Sequence, residues 1–197
     1  MEGSAGTGRT RRWHGRGTGV SGPCEGAPVR SDPPETGDAT TVLTAYLAYQ
    51  RETVLVKTDG LTREQLAQPH PPSSLTLAGL LHHLALVEES WAVERFAGQP
   101  MPEPWAAVDW DATPDWEFET AVDLEPEVLR DRYREAGRRT DAVVAAAGDL
   151  DVLSAQPLRN GNRFSLRWML LHLVEETARH AGHADLLREA VDGATGE

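Results

Sequence analysis

The stretch LLHLVEETARHAGHADLLRE, from Leu170 to Glu189, decides the fold. Leu166, Met169 or Leu170, Leu173, Ala184 and Leu187 recur at steps of three and four, the spacing of one apolar helix face. Ser165 is placed to cap this helix and Gly193 follows its end, so the spacing predicts a helix from Ser165 to about Val191. Two polar residues interrupt the apolar face. Glu176 and His180 stand four positions apart, so their side chains project from the same side. A buried carboxylate is costly unless it is paired or binds a cation. Nothing nearby on the helix offsets that cost.

Three further helices follow from the same periodicity. Leu77, Leu80, Leu84, Val87 and Trp91 predict a helix over Thr76–Ala97, with Gly98 just past its end. His83 falls beside Leu80, Leu84 and Val87 and is expected to face inward; His82 is turned about 100° away and is expected at the edge. Leu43, Leu47 and Val54 predict a helix over Thr41–Thr58, and Thr62 to Gln65 match a capping box for a short turn. Pro126 opens a helix to Ala147 through Leu129, Tyr133, Ala136, Thr140 and Val143, and Gly148 ends it. Asn160-Gly161 marks a tight turn between Leu158 and Phe164, suited to a short hairpin. The expected fold is therefore all-α, a four-helix bundle. Between the second and third helices, residues 99–124 carry Trp105, Trp110 and Trp116 among four prolines. A connection this long is functional or disordered, and three tryptophans argue for order. They are expected to cover the core, with a pocket wall as the alternative.

Residues 1–38 are rich in Gly, Arg, Ser, Thr and Pro, and such a segment cannot bury enough surface to offset its ordering entropy. It is expected to be a disordered tail, leaving residues 39–197 as the bundle; RTRRWHGRG, from Arg9 to Gly17, is at most a small basic contact element. The chain carries a formal net charge of −12, and the tail contributes none of it. A field of that sign repels phosphate backbones and anionic lipid, so neither nucleic acid nor membrane is expected as a partner. No apolar run approaches the length of a membrane span and no secretory signal is visible, so the expected location is cytoplasmic. Cys24 is the only cysteine, which excludes an internal disulfide and a cysteine-type zinc site. Any metal must use His, Asp or Glu, and if thiol chemistry occurs its thiol is expected to come from outside the protein.

Periodicity leaves the polar cluster open to two readings. An inward histidine is commonly a hydrogen-bonded core residue, a Glu-His pair at this spacing is common on helix surfaces, and a rotated helix would turn Glu175 inward instead. The other reading has His83, Glu176 and His180 converge on one divalent metal with room left for water, the pattern of a catalytic site. His172 precedes Glu176 by four, but His172 and His180 are about 12 Å apart along the helix axis, too far for one ion with ordinary rotamers. His172 and His183 are expected behind the ligands or at a pocket rim.

Two segments, GLLHHLALVEESW from Gly79 to Trp91 and the opening stretch from Leu170 to Glu189, resemble the DinB superfamily, and more closely its DUF664 branch of mini-circle proteins. The likeness covers roughly residues 39–193. It implies a four-helix bundle of DinB type with a metal at its centre, often dimeric, so a homodimer is an expectation. Many relatives carry three histidine ligands, one on the second helix and a His-x3-His pair on the last. His83 and His180 match two of them, and Glu176 stands where the first histidine of the pair is usual. That set is similar to mycothiol-dependent maleylpyruvate isomerase, whose zinc is held by two His and one Glu. The resemblance implies zinc, with nickel, iron or manganese as alternatives, and mycothiol or a similar thiol as co-substrate.

Three functions are therefore weighed. The first is a metal-dependent thiol S-transferase or isomerase acting on a small molecule, with Arg179 and the tryptophan loop holding substrate unless Arg179 only forms a surface ion pair. The second is a metal-dependent hydrolase, which needs a further carboxylate as base; Glu88 and Asp185 are the candidates. The third is a non-catalytic metal or ligand binder of stress-protein type, its ion closed off by a fourth ligand such as His172.

Overall fold

Four helices long enough to bury a continuous stripe arise where the sequence places them, in a computed structural model that describes residues 30–196. Helix α1 spans Ala39–Thr58, and Asp38 caps it by accepting from the Thr41 backbone N–H. The short α2, Arg63–Leu66, carries the expected capping box between Thr62 and Gln65. Helix α3 begins at Leu77 under a Thr76 cap. A three-residue 3₁₀ turn at Trp105–Ala107 and helix α4, Trp116–Ala121, lie within the tryptophan connection. Helices α5, Pro126–Ala147, and α6, Leu166–Asp192, end on Gly148 and Gly193 in the left-handed conformation that favours glycine. Helix α1 packs along α6 and α3 along α5, while α3 also meets α6, which closes the four into a bundle. Among the described residues no helix is long and apolar enough to cross a membrane.

Several expectations need correcting in detail. Helix α3 is α-helical only to Glu88 and continues as a π-helical segment, Glu89–Phe96. The wider turn re-phases the chain. After Leu84 the buried positions are Ala85, Glu88, Glu89, Ala92, Val93 and Phe96, so Val87 and Trp91 lie only half-buried. On α5 Val144 rather than Val143 is buried. On α6 the buried line runs Leu173, Thr177, Ala181, Ala184 and Leu187, which sets Glu176 and His180 on its shoulder. The Asn160-Gly161 turn forms, but the hairpin reduces to one antiparallel bridge between Leu153 and Ser165. Residues 1–29 of the expected tail, with the Arg9–Gly17 element and Cys24, lie outside the described residues. From residue 30 the chain runs beside α1, where Arg30 donates to Thr53 Oγ1 at 3.0 Å and lies over the Tyr49 ring.

The tryptophan connection covers the core. Trp105 is fully buried, and Trp110 and Trp116 pack partly buried against the same cluster as Leu80, Leu84 and Leu129. Deeper in the bundle, Arg51 of α1 donates from Nε and Nη2 to the two oxygens of Glu88 at 2.5 and 2.7 Å, and also reaches Asp141. Gly137 lies against this guanidinium, where a Cβ would stand 3.4 Å from it in ordinary contact. Removing one partner strands the other charge. We expect Glu88→Ala to cost about 3–5 kcal/mol of stability. The double change Arg51→Met with Glu88→Leu should recover most of it, as read from urea melts of the three proteins.

Candidate metal centre

His83 on α3 and Glu176 and His180 on α6 bring one donor atom each within 4.8 Å of one another. Glu176 Oε1 lies 3.6 Å from His83 Nε2 and 3.3 Å from His180 Nε2. Donors held about 2.0–2.1 Å from one tetrahedral ion stand roughly 3.3 Å apart, so these separations are close to a coordination edge. The side chains are 21%, 18% and 12% exposed, which places them at an accessible mouth between α3 and α6 rather than sealed in the core.

A residue that periodicity did not single out completes the geometry. Glu117, in the tryptophan connection at the start of α4, is buried, and its Oε1 lies 3.1 Å from His83 Nδ1. A carboxylate accepts, so Nδ1 carries a proton, and Nε2 faces Glu176. The other oxygen of Glu117, Oε2, is buried with no hydrogen-bond partner among the described residues. Phe118, the next residue, stacks on the His83 ring at 4.9 Å. No helical stripe marks Glu117; the available signal was the ordered tryptophan loop around it.

His82 corrects the sequence expectation. It is fully buried rather than at the edge. Its Nδ1 donates to the Glu117 backbone carbonyl at 2.8 Å, Arg132 donates to its Nε2, and its ring lies against Trp105 and Trp116. Burial pulls its imidazole down to about 4, so it stands neutral between its two partners.

The remaining candidates divide clearly. His183 Nδ1 lies 3.3 Å from His180 Nδ1, so one of the two donates to the other. Burial, and then the nearby His83, hold the His180 imidazole below its ordinary value, favouring the neutral ring that donates a lone pair. His172 is not among the converging donors; its ring sits between Trp91 and Trp168. Arg179 is exposed and pairs with Glu175, reaching Glu176 Oε2 only at 3.9 Å. Glu175 is itself exposed, so Glu176 is the inward acid. Neither carboxylate suggested as a hydrolytic base is free to act as one, since Glu88 is held by Arg51 and Asp185 pairs with Lys57 at 2.7 Å.

The charges do not balance within this group. Two carboxylates approach the two nitrogens of one imidazole, and among the described residues the exposed Arg179 is the one arginine or lysine paired with either of them. A dication held by His83, His180 and Glu176 would supply positive charge between the two carboxylates, so the donor set suits a divalent metal.

A model of the mycothiol-S-transferase family matches residues 42–193. The chain belongs to this family. The match spans most of the bundle and contains His83, Glu117, Glu176 and His180. The family is DinB-like, in agreement with the resemblance read from the two helical segments. No curated protein matches the chain. A mycothiol-type thiol chemistry is the general character that family membership gives.

The seating of α4 on α3 can be tested at Gly79. A Cβ there would stand 2.9 Å from Phe118 Cδ1 and 3.1 Å from Thr76 Oγ1, whereas one at Gly182 on α6 would meet nothing within 4 Å. Both glycines are helical, so alanine gains up to about 1 kcal/mol of helix propensity at either. At Gly79 overpacking of about 1–3 kcal/mol opposes the gain. Gly79→Ala should therefore lower stability while Gly182→Ala raises it, measured by chemical denaturation.

Proposed function

We propose that the protein is a divalent-metal-dependent S-transferase that joins a low-molecular-weight thiol of mycothiol type to a small electrophilic substrate. The observation that carries this reading is the convergence of His83, Glu176 and His180 within a chain of the mycothiol-S-transferase family. In it, His83 Nε2, His180 Nε2 and Glu176 Oε1 hold the ion, and three protein donors leave a position open for an exogenous group. Zinc is the preferred metal, because two imidazoles and one carboxylate suit it; iron, nickel and manganese accept similar donors. When bound, such an ion lowers the pKa of a coordinating thiol and favours the thiolate nucleophile.

The chain's own residues have separate parts in this scheme. Glu117 keeps the His83 proton on Nδ1, and His183 is placed to receive the proton of His180 Nδ1, so both rings present Nε2. Arg179 stands at the mouth, beside Glu176, as a cation for a polar or anionic substrate group. A cavity of about 470 Å³, lined by Ser74, Leu75, Asp115, Phe118 and Glu119, shares Phe118 with the centre and offers room for a polyhydroxylated thiol. With its only cysteine at position 24, outside the matched residues, the fold relies on a thiol from solution.

Hydrolysis is less well supported, since Glu88 and Asp185 are engaged in ion pairs away from the three donors. A direct comparison separates the readings. Purified protein should carry close to one divalent ion per chain, and His180→Ala should bind it more than about 100-fold more weakly, since even residues behind a ligand are worth about 10–100-fold. Conjugation of mycothiol to an electrophile should require both metal and thiol. Turnover of the electrophile without thiol would favour hydrolysis, and a wild-type protein that binds no divalent ion would remove the proposed centre.

A further inference from the structure

Among the described residues, three glutamates are buried in this bundle, and each is neutralised differently. Glu88 is 1% exposed and bridged by Arg51 through two hydrogen bonds. Glu89 is 2% exposed; it accepts from Trp105 Nε1 and pairs with Arg139 at 2.7 Å. Glu117 is 5% exposed and has no arginine or lysine partner among the described residues. Its single side-chain hydrogen bond is to His83 Nδ1, and its second oxygen is buried and unpaired. A buried carboxylate held by one neutral donor is a local cost to the fold.

We infer that Glu117 is a positioning residue of the metal centre, whose buried negative charge is balanced through the His83 ring by the cation that His83 holds. This rests on the metal reading above. Glu117 Oε2 is closed to solvent, so the residue cannot meet a substrate and acts only through the imidazole. The carboxylate fixes which nitrogen is protonated, orients the ring toward Glu176, and raises the basicity of Nε2 toward a cation. Phe118 limits tilting by stacking on the same ring. The backbone of Glu117 is anchored separately by His82, so the carboxylate approaches His83 from a fixed origin.

This role predicts opposite effects on two quantities that a merely structural role would move together. Without metal, Glu117→Gln should be as stable as the wild type or more so, because an uncompensated buried charge is gone. With metal, the same variant should bind zinc or cobalt about 10–100-fold more weakly, as expected when the partner behind a ligating histidine is lost. Glu117→Leu, which can accept no hydrogen bond, should be weaker still. The affinities are read by competition with a chromophoric chelator, and the stabilities by thermal melts with and without added zinc. The absorption bands of the cobalt-loaded protein should also shift in Glu117→Gln, reporting a changed ligand field. A metal-free melt lowered in both variants would make Glu117 structural, and an unchanged zinc affinity in Glu117→Gln would show that it does not act on the centre; either result overturns the inference. Failure of the wild type itself to bind zinc or cobalt would instead overturn the metal reading on which it stands.

Discussion

One imidazole lies between two carboxylates, and the arrangement of the site follows from what that requires. Glu117 approaches His83 Nδ1 and Glu176 approaches its Nε2. At a separation of roughly 8 Å and an effective dielectric of about 20, the two negative charges repel by about 2 kcal/mol, before the cost of removing them from water. A single proton on the ring satisfies only one side. A cation on the Nε2 side relieves both, directly at Glu176 and through the polarised ring at Glu117. The same demand makes His180 useful: it brings a second neutral nitrogen to the Glu176 oxygen that faces His83.

The bundle meets this demand by keeping its other buried charges apart from the mouth. Arg51 reaches across from α1 to Glu88, and Arg139 on α5 reaches Glu89. The π-helical segment begins just where these two consecutive acids must turn to different partners. An unbroken α-helix would set them about 100° apart and continue the Leu80, Leu84 stripe toward Val87. The wider turns instead bury Glu89 with Ala92, Val93 and Phe96. The rare helical geometry coincides here with the placement of two buried charges.

The fold was largely legible because four long helices each repeat apolar residues at steps of three and four. The three converging donors were legible for a related reason: Glu176 and His180 interrupt a stripe, and His83 sits beside Leu80 and Leu84. What escaped was anything set by contacts across the fold. Glu176 proved to lie on the shoulder of the buried line, with Thr177 in the core, because α1 rather than α3 takes most of the inner face of α6. The switch to π geometry falls where Glu88 and Glu89 meet Arg51 and Arg139 from other helices, contacts that local spacing does not encode. Glu117 escaped because α4 is too short to show a period, and its partner lies 34 residues away in the sequence.

The misplacement of His82 carries the most information about how the centre is built. Consecutive residues on a helix point about 100° apart, so placing His83 inward suggested His82 at the edge. Both histidines instead find partners because α4 lies over that face and offers the same residue to each. His82 takes the backbone carbonyl of Glu117, and His83 takes its carboxylate. The first contact is between neutral groups and persists through ordinary pH, since burial has pulled His82 down to about 4. The second is charged and depends on what lies beyond the ring. This division lets the fold seat α4 by a hydrogen bond that needs no cation, with Gly79 leaving room for Phe118 to close against α3. The carboxylate is then delivered to His83 already aimed. A cation held as proposed would spend little of its binding energy on ordering the loop behind His83, because the His82 hydrogen bond has fixed that loop beforehand.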